Sequence, residues 1–214
     1  MTIATLTLIH QGDELVAGAR SSVYRLLATA FSYPADGFCE SLRTGEWSRQ
    51  LDALAQHLPF DLSLPAGPAP AEGAPEDLQQ SYVSTFEVGT GRPYCPLYEG
   101  SHRSGRMKLM EDLVRFYEHF GLMTQPGDHP DHLAAELEFM HYMAFKEAAA
   151  QAHADPVPDV RRAQRDFLDR HLCKWLPRVR RRLETAHDLP PFYLFAAGLA
   201  EEFCRCDLAW LKAG

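Results

Sequence analysis

The chain has 214 residues, 46% of them hydrophobic and 23% charged, with a formal net charge of −8. That length and balance fit one globular domain with a sizeable core. The acidic sum argues against a general nucleic-acid binder, which must neutralise phosphates with Lys and Arg.

The N-terminal run MTIATLTLIHQGDEL has no basic segment before its short apolar stretch, so no secretory signal is expected. No apolar run approaches the roughly 18 residues of a membrane span. Helical periodicity then takes over. Leu15, Ala19, Val23, Leu26, Leu27 and Ala30 form one stripe, ended at Tyr33-Pro34, and Trp47, Leu51, Leu54 and Leu58 form a second. Pro59 to Pro75 holds five prolines and two glycines and reads as a surface linker. Glu76 to Phe86 reads as a helix with Leu78, Tyr82 and Phe86 on one side. The segment Gly89 to Gly105 has four glycines and Pro93 and Pro96. A loop of that length in a compact domain is functional or disordered, and Tyr94 and Tyr98 favour order.

Met107 to Phe120 predicts a helix with Met110, Leu113, Val114 and Tyr117 inward, stopped by Gly121. The next stretch, Asp128 to Met143, reads DHPDHLAAELEFMHYM and is the most informative of the chain. Pro130 suits a first helical turn, with Asp128 or His129 at the cap, and the helix is expected to run to about Ala154. Leu133, Leu137, Met140 and Ala144 make its core stripe; His132, Glu136, Phe139 and Met143 make the neighbouring row. Ionisable groups beside a buried face need partners. Two shorter helices follow near Val160–Leu172 and Trp175–Ala186, and a last one opens at Pro190-Pro191. The fold class is therefore all-α: a single bundle of about eight to ten helices over residues 1–214.

Several chemistries can be weighed. The pairs Glu138-x-x-His141 and Glu184-x-x-His187 resemble halves of a di-metal carboxylate site. Glu136 and Glu138, however, lie about 200° apart on a helix, and the apolar stripe selects Glu136 as the inward one. Asp128, His129, Asp131 and His132 have zinc-ligand chemistry, with helix capping as the plainer account. Five cysteines without a C-x-x-C spacing read as free thiols of a reducing compartment. Gly89-Thr90-Gly91-Arg92-Pro93 is not a phosphate cradle, and Cys95 with His102 lacks the spacing of a nucleophile pair. Met107, Met110, Met123, Met140 and Met143 serve as core or as an adaptable groove. Between Arg161 and Arg182 stand nine basic residues against Asp166 and Asp169. That run is either a solvated helical face or a seat for a phosphate-bearing ligand.

The motif Pro130-Asp131-His132-Leu133 followed by Glu136-Leu137-Glu138-Phe139-Met140 resembles the TorD/DmsD family of redox-enzyme maturation chaperones. Tyr82-x-x-x-Phe86, Pro96-Leu97-Tyr98-Glu99 and Phe167-x-x-x-His171-Leu172-x-x-Trp175 add to the likeness, which spans about Ser22 to Leu211. The pattern is similar to the subgroup serving ethylbenzene dehydrogenase, dimethylsulfide dehydrogenase and selenate or chlorate reductase type molybdoenzymes. The resemblance implies a cytoplasmic, all-helical, non-enzymatic chaperone. Such a protein binds the twin-arginine leader of a molybdenum enzyme's catalytic subunit and delays export until cofactor insertion. It implies no stably bound cofactor, at most transient contact with molybdopterin guanine dinucleotide or a guanine nucleotide, and a monomer or helix-exchanged dimer. The leader-binding positions it implies are Tyr82, Phe86, Pro96, Leu97, Asp131 and His132.

Physical chemistry points the same way. A leader with two guanidiniums and an apolar stretch needs carboxylates beside a hydrophobic groove. Asp131, Glu99 and Glu136 are the expected carboxylates, and Phe86, Leu97, Tyr98, Met140 and Met143 the expected groove. His132 is expected to sense the partner's charge near neutral pH. The competing readings are a metal-dependent helical-bundle oxidoreductase and a structural subunit retained in its partner complex.

Overall fold

The computed structural model describes residues 12–63, 75–88, 93–125, 127, 129–153, 155–186 and 189–214. Among the described residues ten α-helices follow one another: α1 (Asp13–Ala30), α2 (Asp36–Arg43), α3 (Glu46–Ala55), α4 (Pro75–Tyr82), α5 (Glu99–His102), α6 (Arg106–His119), α7 (Leu133–Ala152), α8 (Pro158–Arg170), α9 (Leu172–Leu183) and α10 (Pro191–Ala213). A single π turn, Val83–Glu87, extends α4 and closes with Val88 N–H donating to the Val83 carbonyl at 2.8 Å. Among the described residues there is no strand, only an isolated bridge between Tyr98 and His132. No described helix is long and apolar enough to cross a membrane.

α7 is buried on more than one face: Leu133, Leu137, Phe139, Met140, Met143, Ala144 and Ala148 are all inside. A helix apolar on several sides belongs at the centre of a bundle. α1 lies along it, α8 packs on α7 and α10 on α1, and α9 packs on α8 and α10. Short residues let α1 and α7 approach: Ala17, Ala19, Ala28, Ala144 and Ala148 are buried between larger neighbours.

The helices meet at a buried ionic knot. Arg20 of α1 donates to Asp207 of α10 through Nε (2.5 Å) and Nη2 (3.0 Å), to Glu147 of α7 (2.8 Å) and to Gln164 of α8 (2.5 Å). Tyr24 donates to Asp207 at 2.6 Å, and Arg161 to Glu147 at 2.6 Å. Burial alone would weaken the Arg20 charge, but Asp207 and Glu147 outweigh it and hold its pKa above the ordinary value. Burial opposes ionisation of Glu147 too, yet Arg20 and its other partners pull its pKa below the usual carboxylate range. Two cations face two carboxylates, so the knot is close to neutral.

The predicted helices recur with shifted edges. The stripe from Trp47 to Leu58 is α3, ending at Ala55; α2, which precedes it, was not expected from the sequence. Of the Pro59–Pro75 linker, residues 64–74 lie outside the described residues and Pro75 already belongs to α4. In α6 the inward residues are Leu109, Leu113 and Tyr117, with Met110 and Val114 at the margin. Gly121 (φ 80°) stops that helix, and Leu122 N–H caps the Tyr117 carbonyl at 2.9 Å. The junction between α8 and α9 falls at His171, so the second of the two shorter helices starts at Leu172 rather than Trp175, and Pro177 sits inside it.

Candidate functional site

The segment 93–105 is tied across three elements. Cys95 N–H donates to Thr85 of the π turn, Leu133 N–H to Leu97, and Glu99 N–H to the Asp131 carbonyl, each at 2.8 Å. The last two flank the Tyr98–His132 bridge, so loop and helix mouth form one unit. Gly100 N–H donates to Asp131 Oδ2 at 3.2 Å. A Cβ on Gly100 would stand 3.0 Å from that oxygen and 3.1 Å from Arg106 Cγ, so any larger residue would require these side chains to shift by a few tenths of an ångström.

The start of α7 differs from its expected position. Pro130 and Asp131 form a turn before the helix, and His132 is the cap, its Nδ1 accepting from Ala134 N–H at 3.2 Å. The reason is that the turn's carbonyls are already committed: Tyr117 Oη donates to Pro130 at 2.8 Å, while Asp131 takes Glu99 N–H. Asp128, expected as a cap, lies outside the described residues. Burial, helped by His129, pushes the His132 pKa down to about 4 against the pull of Asp131. His132 is therefore uncharged near neutral pH in the folded chain by itself.

Behind the turn lie three buried carboxylates: Glu99 (0% exposed), Asp131 (1%) and Glu136 (0%). Glu99 accepts from Arg103 on one oxygen and shares the other with His171 Nδ1 at 2.9 Å. Asp112 stands 3.4 Å from His171 Nε2 and accepts from Arg170. Glu136 accepts from Trp175 Nε1 at 3.1 Å. Burial and the neighbouring Glu99 push the Glu136 pKa well above its ordinary value. Asp131 Oδ1 and Glu136 Oε1 have no hydrogen-bond partner. A protonated Glu136 becomes a donor toward Glu99, which accounts for one of the two orphans.

The aromatic residues gather on the other side of the loop. Tyr82 packs edge-on against Phe86 (5.2 Å) and near Tyr193 (6.3 Å), and its hydroxyl donates to the Phe31 carbonyl at 3.1 Å. Tyr82, Phe86, Pro96 and Leu97 are buried, as are Met140 and Met143. The hydrophobic groove expected from Phe86, Leu97, Tyr98, Met140 and Met143 is thus closed to solvent except at Tyr98. Tyr98 stays half-buried, its ring 5.3 Å from His129 and 5.0 Å from His132.

Pro96, Leu97, Tyr98, Glu99, Asp131, His132 and Glu136 therefore come together at one place, with Tyr82 and Phe86 beneath. Arg103 and Asp112 belong to the same cluster and carry no local signal in the sequence. His171 and Trp175 stood in the quoted pattern, but their contacts span 72 and 39 positions, beyond any periodicity. Of the Glu-x-x-His pairs, Glu138 is exposed, Glu184 is exposed and paired with Arg180, and His187 lies outside the described residues.

The family model described as nitrate reductase delta subunit matches residues 43–181. The chain belongs to that family. It is 39% identical over 194 residues to the selenate reductase assembly chaperone protein of Thauera selenatis, covering 89% of this chain and 90% of that one. It is 36% identical over 199 residues to the perchlorate reductase assembly chaperone protein of Dechloromonas aromatica (89% and 88% covered). Against the chlorate reductase assembly chaperone protein of Ideonella dechloratans it is 37% identical, with 78% of each chain covered.

Proposed function

We propose that this chain is a cytoplasmic assembly chaperone for a molybdenum-containing oxidoreductase of the selenate, perchlorate or chlorate reductase kind, and that it is not an enzyme. It binds the twin-arginine leader of the catalytic subunit and holds export back while the cofactor is inserted. The observation that carries the leader reading is the buried carboxylate cluster, in which Asp131 Oδ1 is left without a partner even when a protonated Glu136 donates to Glu99. Buried polar atoms are nearly always satisfied, so the orphan Asp131 Oδ1 among three carboxylates marks a place for a further donor.

A guanidinium supplies five N–H donors in a planar fork and matches such a set. Arg103, 30% exposed, already holds one Glu99 oxygen and occupies the position a leader arginine would take. Binding then exchanges an internal guanidinium for an external one, with the 93–105 segment lifting from the aromatic row to admit the leader's apolar helix. The acidic surface speeds encounter with a cationic peptide.

Calorimetry with a synthetic twin-arginine leader tests this in two opposite directions. Asp131→Asn should lower affinity about tenfold or more, the worth of a charge-assisted hydrogen bond. Arg103→Gln should raise affinity several-fold by removing the internal competitor. Unchanged affinity in both variants removes the cluster from the leader site.

A further inference from the structure

The three buried carboxyl groups at the mouth of α7 share their cationic partners unequally. Arg103 donates to one oxygen of Glu99, and His171 Nδ1 lies 2.9 Å from the other. Asp131 and Glu136 each have one neutral donor instead: Gly100 N–H at 3.2 Å for the first, Trp175 Nε1 at 3.1 Å for the second. Among the described residues no Lys, Arg or His forms an ion pair with either of them.

Glu136 nevertheless meets Glu99 carboxyl to carboxyl. Ionised carboxylates only accept hydrogen bonds, so this contact holds with a proton between the two groups. The other elements packed around Glu136 bring no charge that could replace it. From α6 comes Tyr117, whose hydroxyl donates to the Pro130 carbonyl, and from α10 comes Cys204. Burial keeps that phenol and that thiol neutral. α9 contributes the indole N–H of Trp175, and Glu138, on α7 itself, is exposed. His171 is buried, whereas Arg103 is 30% exposed. The Arg103 guanidinium and the proton on Glu136 are thus the two positive charges this cluster can give up.

A twin-arginine leader brings two guanidiniums, and each keeps its charge at any ordinary pH. Exchange with Arg103 accommodates the first. A second would leave an uncompensated charge in a buried site, which is costly unless another cation departs. The proton on Glu136 can depart. Its O–H bond breaks with the electron pair left on the carboxylate, and a base in the solvent takes the proton. The second guanidinium then donates to the ionised Glu136 and to Asp131 Oδ1, the oxygen without a partner in the free chain. Two positive charges enter, two leave, and the net charge of the cluster is unchanged.

We infer that leader binding is coupled to the release of one proton: one arginine of the leader replaces Arg103 on Glu99, and the other replaces the proton held between Glu136 and Glu99. This rests on the leader reading and adds to it a regulation by pH. A binding step that releases a proton becomes more favourable as protons grow scarce, so the grip on the leader tightens as pH rises and loosens as it falls. It also gives the second arginine a task of its own. A leader with one arginine takes the more exposed seat, on Glu99, and leaves the proton in place.

The test is calorimetry on the full chain with a synthetic twin-arginine leader, run in phosphate and in Tris at about pH 6, 7 and 8. These buffers differ in ionisation enthalpy, so the change in measured heat between them counts the protons released. The wild type should release about one proton per leader at about pH 6, and its affinity should rise by up to about tenfold per pH unit while Glu136 is protonated in the free chain. E136Q should bind with heats that do not depend on the buffer. A leader with one arginine replaced by glutamine should do the same on the wild-type chain, a comparison that needs no variant to fold. Binding of the twin-arginine leader with buffer-independent heat at every pH overturns the proton exchange and leaves the leader reading standing. Equal release by the wild type and E136Q, or by the two leaders, overturns it too. Absence of binding by either leader removes both readings together.

Discussion

The molecule buries charge in two places and treats them differently. Around Arg20, every ionised oxygen and nitrogen has a short partner, and cations balance carboxylates. Around Glu136, three carboxylates crowd within one helix mouth, Asp131 Oδ1 lacks a partner, and His171 Nε2 lies 3.4 Å from Asp112 without a hydrogen bond. Both regions are equally hidden from water, so burial does not separate them; satisfaction does. A closed network fixes one arrangement of α1, α7, α8 and α10. A cluster left open is where natural proteins depart from local consistency, and such departures gather at functional sites.

The largest expected effect breaks the closed side. Arg20→Met leaves Glu147 and Asp207 buried without their shared cation, which costs about 3–5 kcal/mol when one member of a buried pair is removed. Urea unfolding measures it, and a loss under about 1 kcal/mol would show that the knot is not what holds the helices in register. Leader affinity of the folded fraction should stay that of the wild type.

The same contrast explains what the sequence discloses. Helix identity was legible from periodicity in α1, α3, α6, α7 and α10, because each lays an apolar stripe on the core. The inward choice of Glu136 over Glu138 followed from the same geometry. Arg20, Glu147 and Asp207 carry a weaker signal: Asp207 falls four residues after Phe203 and four before Leu211, a charge placed in a buried row. The cap at His132 was not legible, since it depends on Tyr117 and Glu99 drawing the Pro130–Asp131 turn away from helical form. Closure of the apolar groove was equally hidden. Hydrophobic character at Tyr82, Phe86 and Leu97 is the same whether a groove is open or covered by its own loop.

Glu136→Gln sharpens the comparison through pH. Burial and Glu99 raise the folded pKa of Glu136 above its unfolded value of about 4.5. Between those two values the folded state holds a proton that the unfolded state has lost, so the wild type loses stability as pH rises through the window. Glutamine mimics the protonated form and carries no such penalty. The variant should equal the wild type below about pH 4.5 and gain on it above, by at most about 1.4 kcal/mol per pH unit. Parallel stability curves from chemical denaturation across that range would mean that Glu136 is ionised in the folded chain.

The smallest effect has the opposite sign. His132 has a folded pKa of about 4, below the ordinary value of 6.5, because burial disfavours its charge. From pH 6.5 down to about 4 the unfolded chain binds a proton that the folded chain refuses, so wild-type stability falls as the solution is acidified. His132→Ala removes both this cost and the cap on Ala134 N–H. At pH 7 the variant should be less stable by about 1 kcal/mol, the usual worth of a helix cap. Its deficit should then shrink as pH falls from 6.5 through about 4, while Arg20→Met shows no such narrowing over the same range. A deficit that stays constant with pH would place the imidazole in water, and would make the turn ahead of α7 an ordinary exposed loop rather than the covered floor of a binding site.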